Sequence, residues 1–145
     1  MKSPRSAFGL AAFLAGAGVT HFARPRPYDT IIPSWLPGRP RTWTYASGVL
    51  ELACATAIAL PRTRRAGALA AAGLFVGVFP ANVKMAYDWR RRPLPYRVAA
   101  YARLPLQAPL VAWGLTVARS AQGIVSSDST NKERGAAVSR LRGDK

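Results

Sequence analysis

The chain has 145 residues, room for one domain, and carries 21 Lys+Arg against 6 Asp+Glu, a net charge of +15. One cysteine and one histidine exclude an intrachain disulfide, a CxxC redox pair, a multi-ligand zinc site and a bis-histidine haem within one chain. Half of the residues are hydrophobic, yet mean hydropathy is only +0.03, because apolar stretches alternate with short arginine clusters and a polar tail.

Such a charge suits nucleic acid or an anionic membrane surface. The apolar runs decide between them: each is roughly 18 to 22 residues long, and a bilayer span needs about 20. The tail from residue 126 mixes a few Lys and Arg with acids and has no aromatic residue, so no nucleic-acid partner is expected. The expected partner is the lipid bilayer.

Residues 1–5 are basic and residues 6–23 are apolar. This start, with Ala15-Gly16-Ala17, also fits a signal peptide. Cleavage there would detach His21 and leave three spans, and a retained first span is preferred. The Ala12, Gly16 spacing predicts close approach of a neighbouring helix.

Residues 24–42 are rich in proline, with IIPSWLP at the centre and Arg24, Arg26, Arg39 and Arg41 around it. The segment is too apolar for a solvated loop and too proline-rich for a regular helix. Tyr28, Trp35, Trp43 and Tyr45 have the character of interfacial anchors. It is read as an interfacial or re-entrant segment, with an extended loop as the alternative.

Residues 44–60 form the second span, with Glu51 near its middle and Pro61 at its end. Arg62, Arg64 and Arg65 make a basic turn. The third span covers 66–87, where Gly73 and Gly77 give a GxxxG pattern and Pro80 predicts a kink just before Asn82. Residues 88–97 are a basic, aromatic interface loop. The fourth span, 98–118, contains Arg103, Pro105, Gln107 and Pro109.

The expectation is therefore an all-α fold. A four-transmembrane-helix bundle occupies 1–118, with the proline-rich segment between helices 1 and 2. A polar, basic tail over 119–145 lacks apolar periodicity and is expected to be disordered, apart from a transient basic helix at its end. The positive-inside rule slightly favours cytoplasmic termini.

His21, Glu51, Asn82, Arg103 and Gln107 interrupt the apolar helices. Ionisable groups in a bilayer are costly and usually face a partner or a cavity. At about 1.5 Å rise per residue, His21 lies roughly 26 Å along the first span and Asn82 roughly 27 Å along the third. Glu51, Arg103 and Gln107 lie roughly 12, 10 and 16 Å below the same outer face. All five fall in the outer half, beside the proline-rich segment. Glu51 and Arg103 match in depth and oppose in charge, which predicts an ion pair. Two readings stay open: polar contacts that lock helix packing, or a ligand pocket roofed by the proline-rich segment. Cys54 shares a face with Glu51 and is read as a small packing residue rather than a redox thiol.

The stretches GVTHFARPRPYDTIIPSWLP, YASGVLELACATAIALPRTRRAGALAAAGLFVGVFPANVKMA and RLPLQAPLVAW resemble the DoxX family of small bacterial membrane proteins over about residues 15–115. The resemblance implies a four-helix, multi-pass protein of the inner membrane. It also implies links to quinone-coupled sulfur oxidation or to membrane-associated oxidative-stress complexes. It implies no agreed catalytic residue, and with one cysteine a dithiol mechanism is not expected.

A redox-associated subunit would need donors for quinone carbonyls and a proton route. His21, Asn82, Gln107 and Arg103 are candidate donors, Glu51 or His21 candidate proton carriers, and Tyr28 and Trp35 candidate stacking partners. The same lining suits a lipid headgroup or another small amphiphile. The competing reading is a non-enzymatic anchor whose basic loops dock a soluble redox enzyme. A homo-oligomer is left open, as is whether the chain is an enzyme. No metal site is expected.

Overall fold

The computed structural model describes the backbone of residues 4–142 and the side chains of residues 5–122. Every regular element is helical, and no strand occurs among the described residues. In order these are α1 (Pro4–Ala23), α2 (Pro25–Asp29), α3 (Pro40–Ala59), α4 (Arg64–Gly77), α5 (Phe79–Asp88), a 3₁₀ turn (Trp89–Arg91) and α6 (Leu94–Arg142).

Proline sets most of these boundaries. Pro25, Pro40 and Pro80 sit in the first turns of α2, α3 and α5, where the missing N–H costs nothing. The proline-rich segment was expected to hold no regular helix, yet its first prolines start the five-residue α2. Gly38 alone among the described residues has a positive φ, +88°, a turn conformation that favours glycine. The third apolar run is interrupted at Val78 (φ −85°, ψ −3°), two residues before Pro80, and resumes as α5.

The helix ends are satisfied locally. Arg64 is buried and donates from Nε to Ile58 O (2.8 Å) and from Nη2 to Ala59 O (3.0 Å). Thr63 donates to Ala57 O at 2.8 Å. The last carbonyls of α3 thus gain partners from the turn that follows.

Helix α1 packs on α3, α3 on α4, and α4 and α5 on α6. A core of Leu10, Leu14, Ile58, Ala68, Phe75 and Val117 fills one end. A smaller cluster of Ile31, Met85, Ala86 and Ala100 closes the other. Between the two clusters lie the polar residues of the site. Large apolar side chains are exposed on the outer faces, among them Val19, Val49, Leu69, Val76, Val83 and Val98. The stretches Arg5–Ala23 and Arg64–Arg91 are long and apolar enough to cross a membrane.

The glycine contacts differ from the expected ones. A methyl group added at Gly16, Gly73 or Gly77 would meet nothing within 4 Å among the described residues, so neither the glycine of the Ala12, Gly16 spacing nor the GxxxG pair makes a helix contact with them. The close approach is instead between Gly18 of α1 and Gly48 of α3. A Cβ on Gly48 would lie 2.9 Å from His21 Cβ and 3.2 Å from Gly18 O. Spacing along one helix says where backbones can approach and not which face meets a partner.

Helix α6 spans Leu94–Arg142 and so continues past residue 118. An existing helix extends with one hydrogen bond per residue added, and the Ala, Gln, Lys, Arg and Leu of this stretch are good helix formers. The side chains of the tail from residue 123 lie outside the described residues, as does any role of its basic patch.

Candidate functional site

The Gly18–Gly48 contact brings α1 and α3 together, and one turn from it each helix carries a polar residue, His21 on α1 and Glu51 on α3. His21 Nδ1 lies 2.9 Å from Ala17 O and 3.1 Å from Glu51 Oε2. Nδ1 carries one hydrogen, which Ala17 O accepts. The Glu51 contact is therefore electrostatic, and Oε2 is buried without a hydrogen-bond partner.

On the opposite wall Asn82 Nδ2 donates to Gln107 Oε1 at 2.9 Å, and both residues are buried. The break at Val78 and the prolines on either side of Gln107 place these two amides face to face. Gln107 Nε2 is buried and unpartnered. Pro105 and Pro109 lie inside α6, so the carbonyls of Tyr101 and Pro105 lose their usual helical donors.

The proline-rich segment folds over this end. The Tyr28 ring stacks on His21, with centroids 3.8 Å apart and planes at 24°. Thr20 Oγ1 donates to Ala17 O at 2.7 Å, so the Tyr28 hydroxyl is the donor in its 2.7 Å bond to Thr20. Asp29 clasps the segment to α3: it accepts from Arg41 Nε at 2.8 Å and from Thr44 Oγ1 at 2.7 Å. The bond to Asp29 pushes the Arg41 pKa up from its ordinary value. Thr44 is only 1% exposed, so its hydroxyl depends on that carboxylate. Lys84 donates to Thr30 O at 3.3 Å and pairs with Asp88, tying the segment to α5.

These walls enclose a cavity of about 380 Å³, within the usual range for small-molecule sites. Its polar lining includes His21, Tyr28, Thr44, Ser47, Glu51, Asn82, Arg103 and Gln107, and its apolar lining includes Phe13, Ile31, Ile32, Phe75, Leu106 and Leu110. Of the seven residues singled out from sequence, the structure brings together His21, Tyr28, Glu51, Asn82, Arg103 and Gln107.

Trp35 does not join them. It is 71% exposed and absent from the lining, because the turn at 33–36 carries it outward while Ile31 and Ile32 point in. The expected Glu51–Arg103 pair does not form either. Glu51 faces His21, and Arg103 makes no hydrogen bond or ion pair among the described residues. Equal depth fixed only the height of these groups; the Gly18–Gly48 contact decides which helix Glu51 faces.

Residues 10–118 match a family model described as a domain of unknown function, DUF8561. The chain belongs to the DUF8561 family. No curated protein and no solved structure gives a significant match.

The DUF8561 match spans every residue that lines the cavity. Within it, sequence reasoning missed Asp29 and Thr44, which hold the roof, and Ser47 on the wall. A signal for Asp29 was available: it is the lone acid in a segment of arginines. The hydroxyls of Thr44 and Ser47 gave none, since both residues are common in helices for many reasons.

Proposed function

We propose that the chain is a four-helix integral membrane protein that binds a small amphiphile in this cavity. Large apolar side chains on the outer faces of the helices suit lipid contact, since a water-soluble protein rarely exposes so much apolar surface. The proline-rich segment then lies at the membrane interface, with Trp35 and Tyr45 exposed there as anchors. The termini are assigned to the cytoplasmic side of the inner membrane.

The observation that carries the ligand reading is a matched pair of unmet needs. Gln107 Nε2 is a buried donor and Glu51 Oε2 a buried acceptor, and both residues line one cavity. Leaving either unpaired costs about 1–3 kcal/mol. A headgroup with one hydroxyl and one carbonyl or second hydroxyl satisfies both. A quinol has that chemistry, with a ring for Phe13 and Phe75 and a tail that leaves through the apolar walls.

The same geometry suits a redox-associated subunit. A bound quinol that passes electrons to a partner enzyme must also release protons, and Glu51 beside His21 is placed to accept one. The DoxX-like stretches of residues 15–115 support the same reading from sequence alone.

Solvent extraction of full-length protein, purified in mild detergent, tests the proposal. Quinone near one equivalent in the wild type, and far less in Gln107→Leu, is expected. An extract free of quinone, from protein that also fails to take up added quinone or quinol, would overturn it.

A further inference from the structure

A second pocket of about 230 Å³ adjoins the first, sharing Tyr28, Ile31 and Arg103 with it. Its lining also includes Thr20, Arg24 and Trp89, and no carboxylate. We propose that this pocket binds a phosphate-type anion between Arg24 and Arg103, with the phosphate of an anionic lipid or free phosphate as the source.

Charge singles out this pocket. Among the described residues no carboxylate pairs with either arginine. Asp29 is held by Arg41 and Thr44, Asp88 by Lys84, and Glu51 lies against His21 and lines the larger cavity but not this pocket. Among the same residues, Arg24 and Arg103 have no hydrogen bond or ion pair through their side chains. They come from different elements, Arg24 just after α1 and Arg103 within α6, yet line one pocket.

Two guanidiniums sharing a small pocket repel, and a single anion between them removes that repulsion and takes charge-assisted hydrogen bonds from both. Thr20 already spends its hydroxyl hydrogen on Ala17 O and Tyr28 spends its own on Thr20 Oγ1, so anion binding falls to the arginines. Ile31 and Met85 give the rest of the lining an apolar character, which suits the glycerol and upper acyl region of a lipid. This site needs no occupant in the larger cavity.

Full-length protein in a neutral detergent would be titrated with short-chain phosphatidylglycerol, matched phosphatidylcholine and inorganic phosphate, with bound lipid counted by native mass spectrometry and phosphate binding followed by calorimetry. Phosphatidylglycerol is expected to bind more tightly than phosphatidylcholine. Arg24→Gln and Arg103→Gln should each weaken it about tenfold, the loss of one charge-assisted contact. Arg26→Gln, an exposed neighbour outside the pocket, should leave it unchanged. Binding of inorganic phosphate with the same dependence on Arg24 and Arg103 would identify the free anion as the source.

Equal binding of both lipids with none of phosphate would overturn the site. So would an equal loss in Arg26→Gln, which would show only diffuse positive charge. Arg24→Gln should keep quinone binding and Gln107→Leu should keep anion binding, so failure of either site is distinguishable from failure of the other.

Discussion

Glu51 Oε2 lies 3.1 Å from His21 Nδ1, beside the point where Gly18 and Gly48 let α1 and α3 touch. The contact makes the two side chains a unit. Glu51→Gln and His21→Gln should each lower the melting temperature in detergent, and the double variant should lose less than the sum. A coupling of about 1 kcal/mol is expected for groups in direct contact. Glu51→Gln and Arg103→Met should be additive. Coupling to Arg103 and none to His21 would contradict the observed pairing.

Gly48 is the residue on which that unit depends. A Cβ there would fall 2.7 Å from Phe22 Cε2 and 2.9 Å from His21 Cβ. Gly48→Ala should destabilise by about 1–3 kcal/mol, the usual cost of overpacking. Gly73→Ala meets nothing within 4 Å and should be neutral or stabilising by up to about 1 kcal/mol, from helix propensity alone. Thermal melts of the two variants make the comparison. Equal losses would mean that both glycines face a partner.

The helical class and the polar residues were legible because apolar runs make their exceptions conspicuous. His21, Glu51, Asn82 and Gln107 stood out on that ground, and the rise per residue set them at similar heights. Azimuth was not legible. Height and opposite charge made Arg103 the expected partner for Glu51, whereas the helix faces are set by small-residue contacts such as Gly18 with Gly48. The GxxxG pattern at Gly73 and Gly77, a weak signal on its own, makes no contact among the described residues. Trp35 was singled out for its chemistry, but the tight turn around it turns the ring outward. Asp29 is a tertiary device: its meaning depends on Arg41 and Thr44, 12 and 15 residues away.

Asp29 therefore supplies a direct test of the roof. Asp29→Ala removes the acceptor for both Arg41 and the buried Thr44 hydroxyl, a loss of about 1–3 kcal/mol. It should loosen the segment that carries Tyr28, Ile31 and Ile32. In a Cys54→Ala background, a cysteine at Ile31 should react slowly with a water-soluble maleimide, and one at Gly38 quickly. Adding Asp29→Ala should speed the reaction at 31 and leave 38 unchanged. Fast labelling at 31 in the presence of Asp29 would show that the segment does not cover the cavity.

In the proposed function, Gln107 Nε2 and Glu51 Oε2 bind one headgroup from opposite walls of the cavity. The most direct measurement is an anaerobic binding isotherm for a short-chain benzoquinol on the full-length protein, in wild type, Gln107→Leu and Glu51→Gln. Saturable binding at one site should weaken about tenfold or more in each variant, as expected for the loss of one buried hydrogen bond. Benzoquinol binding that is absent, or that is the same in all three proteins, would contradict the account.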